Sequence, residues 1–288
     1  MKTIFFQVYV TFTFTKRNKT ILSYIHGNQF QGSTEYTQLV QLGSLSFIEL
    51  IREFVFCKPP LSLLIENLPR LLPRPYSFSS SPLADAGRLS FVYTVVDSPR
   101  PGLATSWLRR RQPDARVEIY PRVSSGFQAP TIEAASYLMV CAGSGIGPFL
   151  GFLEDRKLRQ MREGKVWLVF GCRNKDKDFI HRDRLEGFVR DGFLSKLTVA
   201  FSRDEENGGV KYVQDALLSE SEEVRRLVHQ DQAHIFVCGD AKNMGRCVNE
   251  ALAAILTTTR GDGTTEDDGA AILKTLVAEK RYKQDLWT

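Results

Sequence analysis

The 288-residue chain predicts an α/β fold in which a β-rich segment precedes a doubly wound parallel sheet. Three observations carry the expectation. From Ser136 onward, short continuous apolar runs alternate with amphipathic helical stretches, the pattern of parallel strands buried on both faces. The first of these runs leads into Gly143-Ser-Gly145-Ile-Gly147-Pro148, a glycine-rich turn that opens a helix. Upstream, residues 76–120 show period-two alternation between turn signals, as antiparallel strands do.

Composition is that of a globular protein long enough for about two domains. Hydrophobic residues make up 43% and charged residues 25%, and mean hydropathy is -0.20; these values argue against disorder and against a polytopic membrane protein. The net charge of +5 is spread through the chain rather than gathered into a block, which argues against nucleic-acid binding. Five cysteines with no C-x-x-C pair and no zinc spacing point to a reduced, cytoplasmic setting.

At the N-terminus, apolar and polar residues alternate from Val8 to Thr15, and Thr3, Gln7, Thr11, Thr13 and Thr15 break up any signal-peptide core, so a strand is expected. Residues 35–56 carry apolar positions at helical spacing and stop at Pro59-Pro60. A short helix follows from Leu61 to Asn67, and the prolines at 69, 73 and 75 force extended backbone into Tyr76. Strands are expected at 76–80, 88–97 and 115–120, with a short helix at 105–111. Parallel strands are then expected at 137–141, 166–170, 197–201 and 234–238, with helices at 149–162, 182–190, 212–218 and 242–256. Residues 260–269 read as a polar, acidic loop.

Sheets of this kind bind ligands beyond the carboxyl ends of their strands. There the backbone N–H groups of Gly143, Ser144, Gly145 and Gly147 would face a pyrophosphate at a helix N-terminus. Ser202, Arg203, Lys211 and Tyr212 offer a hydroxyl, a guanidinium and an ammonium where an adenosine 2′-phosphate could be held, although Asp204, Glu205 and Glu206 adjoin them. Arg74, Tyr76, Ser77 and Ser80 would supply a cation, an aromatic face and hydroxyls to a flavin, and Gly102, Leu103, Ala104 and Thr105 could donate N–H groups to its pyrophosphate. Alternatively, this is an ordinary capped helix with Thr105 near its N-cap. Trp287 is suited to cover a flat ring or to patch the core, and Cys238 by itself reads as packing.

In order along the chain, Arg-x-Tyr-Ser-x-x-Ser, Gly-x-Ala-Thr, Gly-x-Gly-x-Gly-Pro-Phe, Phe-Gly-Cys-Arg, Phe-Ser-Arg, Tyr-Val-Gln, Cys-Gly-Asp-Ala-Lys-Asn-Met and a terminal Asp-x-Trp resemble the diflavin reductases, which are built on a ferredoxin-NADP reductase module. Pro59-Pro60-Leu-Ser-Leu-Leu, Lys211-Tyr-Val-Gln-Asp215 and Glu279-Lys-Arg-Tyr282 are most similar to the branch that serves cobalamin-dependent methionine synthase.

The resemblance implies a partial antiparallel FAD-binding barrel followed by a doubly wound NADPH-binding sheet. It implies that Arg74, Tyr76, Ser77, Ser80 and Gly102 to Thr105 hold FAD, with Trp287 shielding its ring. Gly143 to Gly147, Arg173, Ser202, Arg203, Lys211, Tyr212, Gln214 and Asp240 would hold NADPH. Ser77, Cys238 and Asp285 would be the polar groups around hydride transfer from nicotinamide to flavin, with Trp287 beside them. In this scheme 1–26 is unassigned, 27–67 is a remnant of a helical connecting domain, 68–132 the partial barrel, and 133–288 the NADPH domain with its aromatic tail. An N-terminally shortened member is expected, without the FMN domain through which electrons would pass to a protein acceptor such as methionine synthase. A haem-protein reductase, or an idle NADP-binding fragment, are the alternatives. Cys141-Ala142 replaces the family's common Gly-Pro, and Ser144 a common Thr.

Overall fold

The computed structural model describes residues 47–53, 58–68, 71–85, 87–97, 101–122, 126–130, 132–204, 210–259 and 265–287. The expected N-terminal strand and most of the expected helix at 35–56 lie outside these residues. The chain divides into two units at Pro73 and Arg74. In the first, the described elements are the helices α1 (Phe47–Glu53) and α2 (Leu61–Asn67). Pro60 precedes α2 in extended conformation, and its carbonyl accepts from the N–H groups of Leu63 and Leu64, so the helix begins where proline has already set the backbone.

The second unit is organised by a five-stranded sheet. Its strands are β1 (Tyr137–Ala142), β2 (Val166–Cys172), β3 (Lys196–Phe201), β4 (His234–Asp240) and, after a small antiparallel pair β5 (Thr258–Thr259) and β6 (Thr265–Asp267), β7 (Tyr282–Trp287). The order is β3-β2-β1-β4-β7 and every pairing in this sheet is parallel. The helices are α3 (Leu103–Arg109), α4 (Gly147–Leu158), α5 (Arg182–Arg190), α6 (Val213–Ser219), α7 (Ser221–His229), α8 (Arg246–Leu256) and α9 (Gly269–Ala278). Among the described residues no helix is long and apolar enough to cross a membrane.

Alternation along the strands divides the core in two. Leu138, Val140, Trp167, Val169, Ile235 and Val237 join a cluster with residues of α6 to α9. Tyr137, Met139, Cys141, Leu168, Phe170, Phe236 and Cys238 face the other way, against α4 and α5. Burying such a side chain fully contributes on the order of 1.5–3 kcal/mol, and β1, β2 and β4 are covered on both faces, which is why they read as unbroken apolar runs. Trp167 is the polar exception, and its indole N–H donates to Thr198 Oγ1 at 3.0 Å.

Several expectations need correction. Among the described residues the strands expected at 76–80, 88–97 and 115–120 are reduced to one antiparallel bridge, Phe78 to Phe91, with Ser79 N–H donating to Ser90 O at 2.7 Å. A two-stranded ribbon is marginal without a third strand or a packed face, and residues 115–120 are exposed throughout. The last part of the loop expected at 260–269 is β6, whose Asp267 accepts from Thr258 Oγ1 at 2.9 Å, followed by the start of α9. The helix expected from Lys242 instead begins with a π turn over Ala241–Gly245, and α8 starts at Arg246.

β1 and β4 lie side by side, but the chain leaves them in opposite directions. α4 returns over the Met139 and Cys141 face, whereas α8 packs on the Val140 and Val237 face. A crevice opens where two such connections diverge. The turn Gly143–Ile146 enters it so closely that a Cβ on Gly145 would lie 2.2 Å from the Cys238 carbonyl oxygen. We therefore expect Gly145→Ala to destabilise the chain by about 1–3 kcal/mol, the usual cost of overpacking. Denaturant unfolding at equilibrium checks this, and an unchanged midpoint would contradict the close approach.

Candidate functional site

The C-terminal edge of the sheet gathers most of the residues singled out in the sequence. At its centre, Gly143 has φ +55°, a conformation that L side chains resist, and a Cβ there would meet nothing within 4 Å. The turn thus has one side pressed on β4 through Gly145 and one side open. Gly147 begins α4 and Pro148 occupies its first turn, where a missing N–H costs nothing. An open turn ahead of a 12-residue helix suits a diphosphate, although the Gly147 N–H is spent on Ser144 O. Ser144 lies within this turn.

The segment after Arg74 lies along α4. Gly147 and Gly151, one helical turn apart, leave room for it: a Cβ on the first would stand 3.7 Å from Ser77 O and on the second 3.5 Å from Phe78 O and Ser80 O. Ser81 N–H donates to Glu154 Oε2 at 2.7 Å and its hydroxyl to Asp155 Oδ1 at 2.9 Å, which fastens the segment to the helix. Ser80 Oγ accepts from Ser90 N–H at 3.0 Å, which leaves its O–H to donate elsewhere. Tyr76 packs with Phe91 (5.1 Å between ring centroids) and Tyr93 (6.3 Å). Its phenol is raised above the usual range by burial and by Tyr93, against the opposing pull of Arg74.

The tail is a strand rather than a loose end. β7 pairs with β4 so that Cys238 is opposite Asp285 and Asp240 opposite Trp287. With a period of two, Lys283, Asp285 and Trp287 share the sheet face of Phe236 and Cys238. Leu286, on the other face, packs on the opposite core and closely approaches Gly245 of the π turn. This arrangement brings Asp285 Oδ2 to 2.6 Å from Ser77 Oγ, whose hydroxyl donates to it across 208 residues of sequence. Cys238 is buried, and burial together with the Asp285 charge drives its thiol far above the ordinary range, so it stays protonated at neutral pH. Trp287 remains 43% exposed at the end of the strand.

A second cluster lies at the ends of β2 and β3. Backbone pairing continues past the strands, Ser202 N–H donating to Cys172 O and Arg203 N–H to Arg173 O, both at 2.9 Å. Val213 at the start of α6 packs on Gly171, which sets Lys211 and Tyr212 beside this edge. The N–H groups of Lys211 and Tyr212 donate to Asp215 Oδ2 at 3.2 and 2.9 Å, while both side chains stay exposed. Gln214 follows in the first turn of α6.

Two residues have local roles the sequence did not reveal. Asp240 Oδ2 accepts from Asn243 N–H at 2.7 Å and caps the π turn. Thr105 lies in the first turn of α3: Gly102 is the N-cap, Leu103 and Ala104 open the helix, and Thr105 Oγ1 accepts from Val96 N–H at 3.3 Å. Gly102 N–H donates to Val96 O at 2.7 Å. The strand character of the tail and the linkage through Asp204 described below were likewise missed. The alternation of Tyr282, Gln284 and Leu286 with Lys283, Asp285 and Trp287 could have signalled the strand.

Comparison with known proteins agrees with this arrangement. A family model described as "FAD binding domain" matches residues 2–107, and one described as "Oxidoreductase NAD-binding domain" matches residues 139–250. The first match extends across residues 2–26, which the motifs left unassigned. Methionine synthase reductase of Mus musculus is 38% identical over 293 residues, covering 90% of this chain and 42% of that protein. The Homo sapiens protein of the same name gives the same values. NADPH–cytochrome P450 reductase of Musca domestica is 33% identical over 272 residues, covering 90% of this chain and 39% of the relative. The chain therefore spans about two fifths of the length of these relatives. Over nine tenths of its length the chain is thus similar to these reductases, and it carries matches to an FAD-binding and an oxidoreductase NAD-binding domain.

Proposed function

We propose that the chain is an NADPH-dependent FAD reductase module. The observation that supports this best is the hydrogen bond from Ser77 to Asp285, which joins the segment bearing the flavin motif to the sheet edge bearing the nucleotide turn. When both cofactors are bound, NADPH supplies a hydride and FAD accepts it. The chain's own residues orient and stabilise. Residues 68–132 act as part of an FAD barrel, in which Arg74 and the backbone N–H groups of Leu103, Ala104 and Thr105 hold the pyrophosphate, the Gly102 N–H being taken by Val96 O. Tyr76, Ser77 and Ser80 contact the flavin, and Trp287 covers its ring until nicotinamide takes that place.

Gly143, Ser144, Gly145 and Gly147 cradle the coenzyme diphosphate. Arg173, Ser202, Arg203, Lys211, Tyr212, Gln214 and Asp240 hold the rest of NADPH. Ser77, Cys238 and Asp285 form the polar set beside the reacting atoms, with Asp285 fixing the Ser77 hydroxyl and the protonated Cys238 thiol adding a neutral contact. The names of the relatives suggest methionine synthase as the eventual acceptor; on this reading the electrons reach it through FMN and the protein is cytoplasmic. The similarity to NADPH–cytochrome P450 reductases supports a haem-protein acceptor as the second reading.

Two substitutions test the coenzyme assignments in steady-state reduction of a small one-electron acceptor. Arg203→Ala should lower kcat/KM for NADPH roughly 10- to 100-fold, the worth of a charged hydrogen bond to the 2′-phosphate, and leave NADH nearly unchanged. Equal losses for both coenzymes would refute that role. Trp287→Ala should improve kcat/KM for NADH, because the indole no longer competes with nicotinamide for the ring. An unchanged preference would count against stacking.

A further inference from the structure

A carboxylate directly after Arg203 looks misplaced beside a phosphate site, because like charges repel. The structure gives Asp204 another use. Its Oδ1 accepts from Asn174 Nδ2 at 2.9 Å and its Oδ2 from Lys175 N–H at 2.8 Å, so both oxygens are turned to the loop that follows β2. That loop is itself closed, since Asn174 N–H donates to Asp178 Oδ2 at 3.0 Å and Asp178 N–H to Asn174 O at 3.0 Å. Together with the backbone bonds from Ser202 to Cys172 and from Arg203 to Arg173, four hydrogen bonds tie the turn after β3 to the last residue of β2 and the loop that follows it. The contacts from Asn174 and Lys175 also hold the Asp204 carboxyl below its ordinary range, so the linkage is complete at neutral pH.

We propose that Asp204, acting through Asn174, is a positioning residue that latches the backbones of Arg173 and Arg203 together as a preformed site for a phosphate monoester on adenosine. The inference rests on the reading of Ser202, Arg203 and Lys211 as the 2′-phosphate site. Asp215 is used in the same way, spent on the N–H groups of Lys211 and Tyr212. Two carboxylates in a site for an anion are thus spent on the backbone and amide groups beside its cationic residues. Preorganisation of this kind improves binding without adding a contact to the ligand.

Calorimetric titration of the full chain with adenosine 2′,5′-bisphosphate and with adenosine 5′-monophosphate tests the latch. Asp204→Ala should weaken the bisphosphate about five- to ten-fold, in the range of one ordinary hydrogen bond, and leave the monophosphate unchanged. Asn174→Ala, which alters no charge and leaves Oδ2 bonded to Lys175 N–H, should weaken it in the same direction but less, and the double variant should be no worse than Asp204→Ala alone. Asp204→Asn keeps one acceptor oxygen and should lose less than Asp204→Ala. A carboxylate that merely stands near the phosphate predicts the opposite sign, because removing it would tighten the bisphosphate. Tighter or unchanged binding in Asp204→Ala and Asn174→Ala, with normal discrimination in the parent, overturns the latch alone. Failure of the parent chain to prefer the bisphosphate overturns the coenzyme reading beneath it.

Discussion

The turn that leaves β1 rests on the end of β4, with Gly145 against the Cys238 carbonyl oxygen so closely that no side chain fits between them. From this contact the rest of the site can be traced. It holds the open side of the turn at Gly143 above the place where the connections of β1 and β4 part to opposite faces of the sheet. It also brings α4 to the height at which Gly147 and Gly151 can receive the segment carrying Tyr76, Ser77 and Ser80. A longer side chain at Gly145 would displace the turn and the start of the helix together, and with them the surface that residues 77–81 lie on.

Strand pairing supplies the second fixed point. β7 adds to β4 in parallel register, and the two-residue period sends Lys283, Asp285 and Trp287 to the face that α4 covers. Asp285 reaches Ser77 because its strand is held by the ladder rather than left as a free terminus. Cys238 is protonated for the same reason: it is buried in that ladder beside a carboxylate, and both conditions disfavour the thiolate. The site is therefore a meeting of three rigid pieces, the glycine turn, the pair β4 and β7, and the segment fastened to α4 through Ser81.

Most of the parallel sheet was legible because its signal is local. Tyr137–Ala142, Val166–Cys172 and His234–Asp240 are apolar on both faces, and such runs are unmistakable once helices alternate with them. Residues 76–97 also alternate, but alternation promises a strand only where partners complete the ladder, and here one bridge is formed. The tail was hidden differently: Tyr282 to Trp287 carries Lys, Gln and Asp among its apolar residues, as an edge strand does, and so resembles a polar terminus. Local hydrogen bonds escaped notice altogether. That Asp240 caps a π turn and that Asp204 grips Asn174 depends on where loops from separate strands meet, and no spacing in the sequence encodes it.

The central claim is that the flavin-side segment and the nucleotide sheet together make one working site. It is tested most directly by the visible absorption spectrum of the purified chain with added FAD, followed by anaerobic NADPH. The account predicts a retained flavin band that bleaches when NADPH is added. A folded chain that binds NADPH but keeps no flavin, or keeps flavin that NADPH does not bleach, would contradict it.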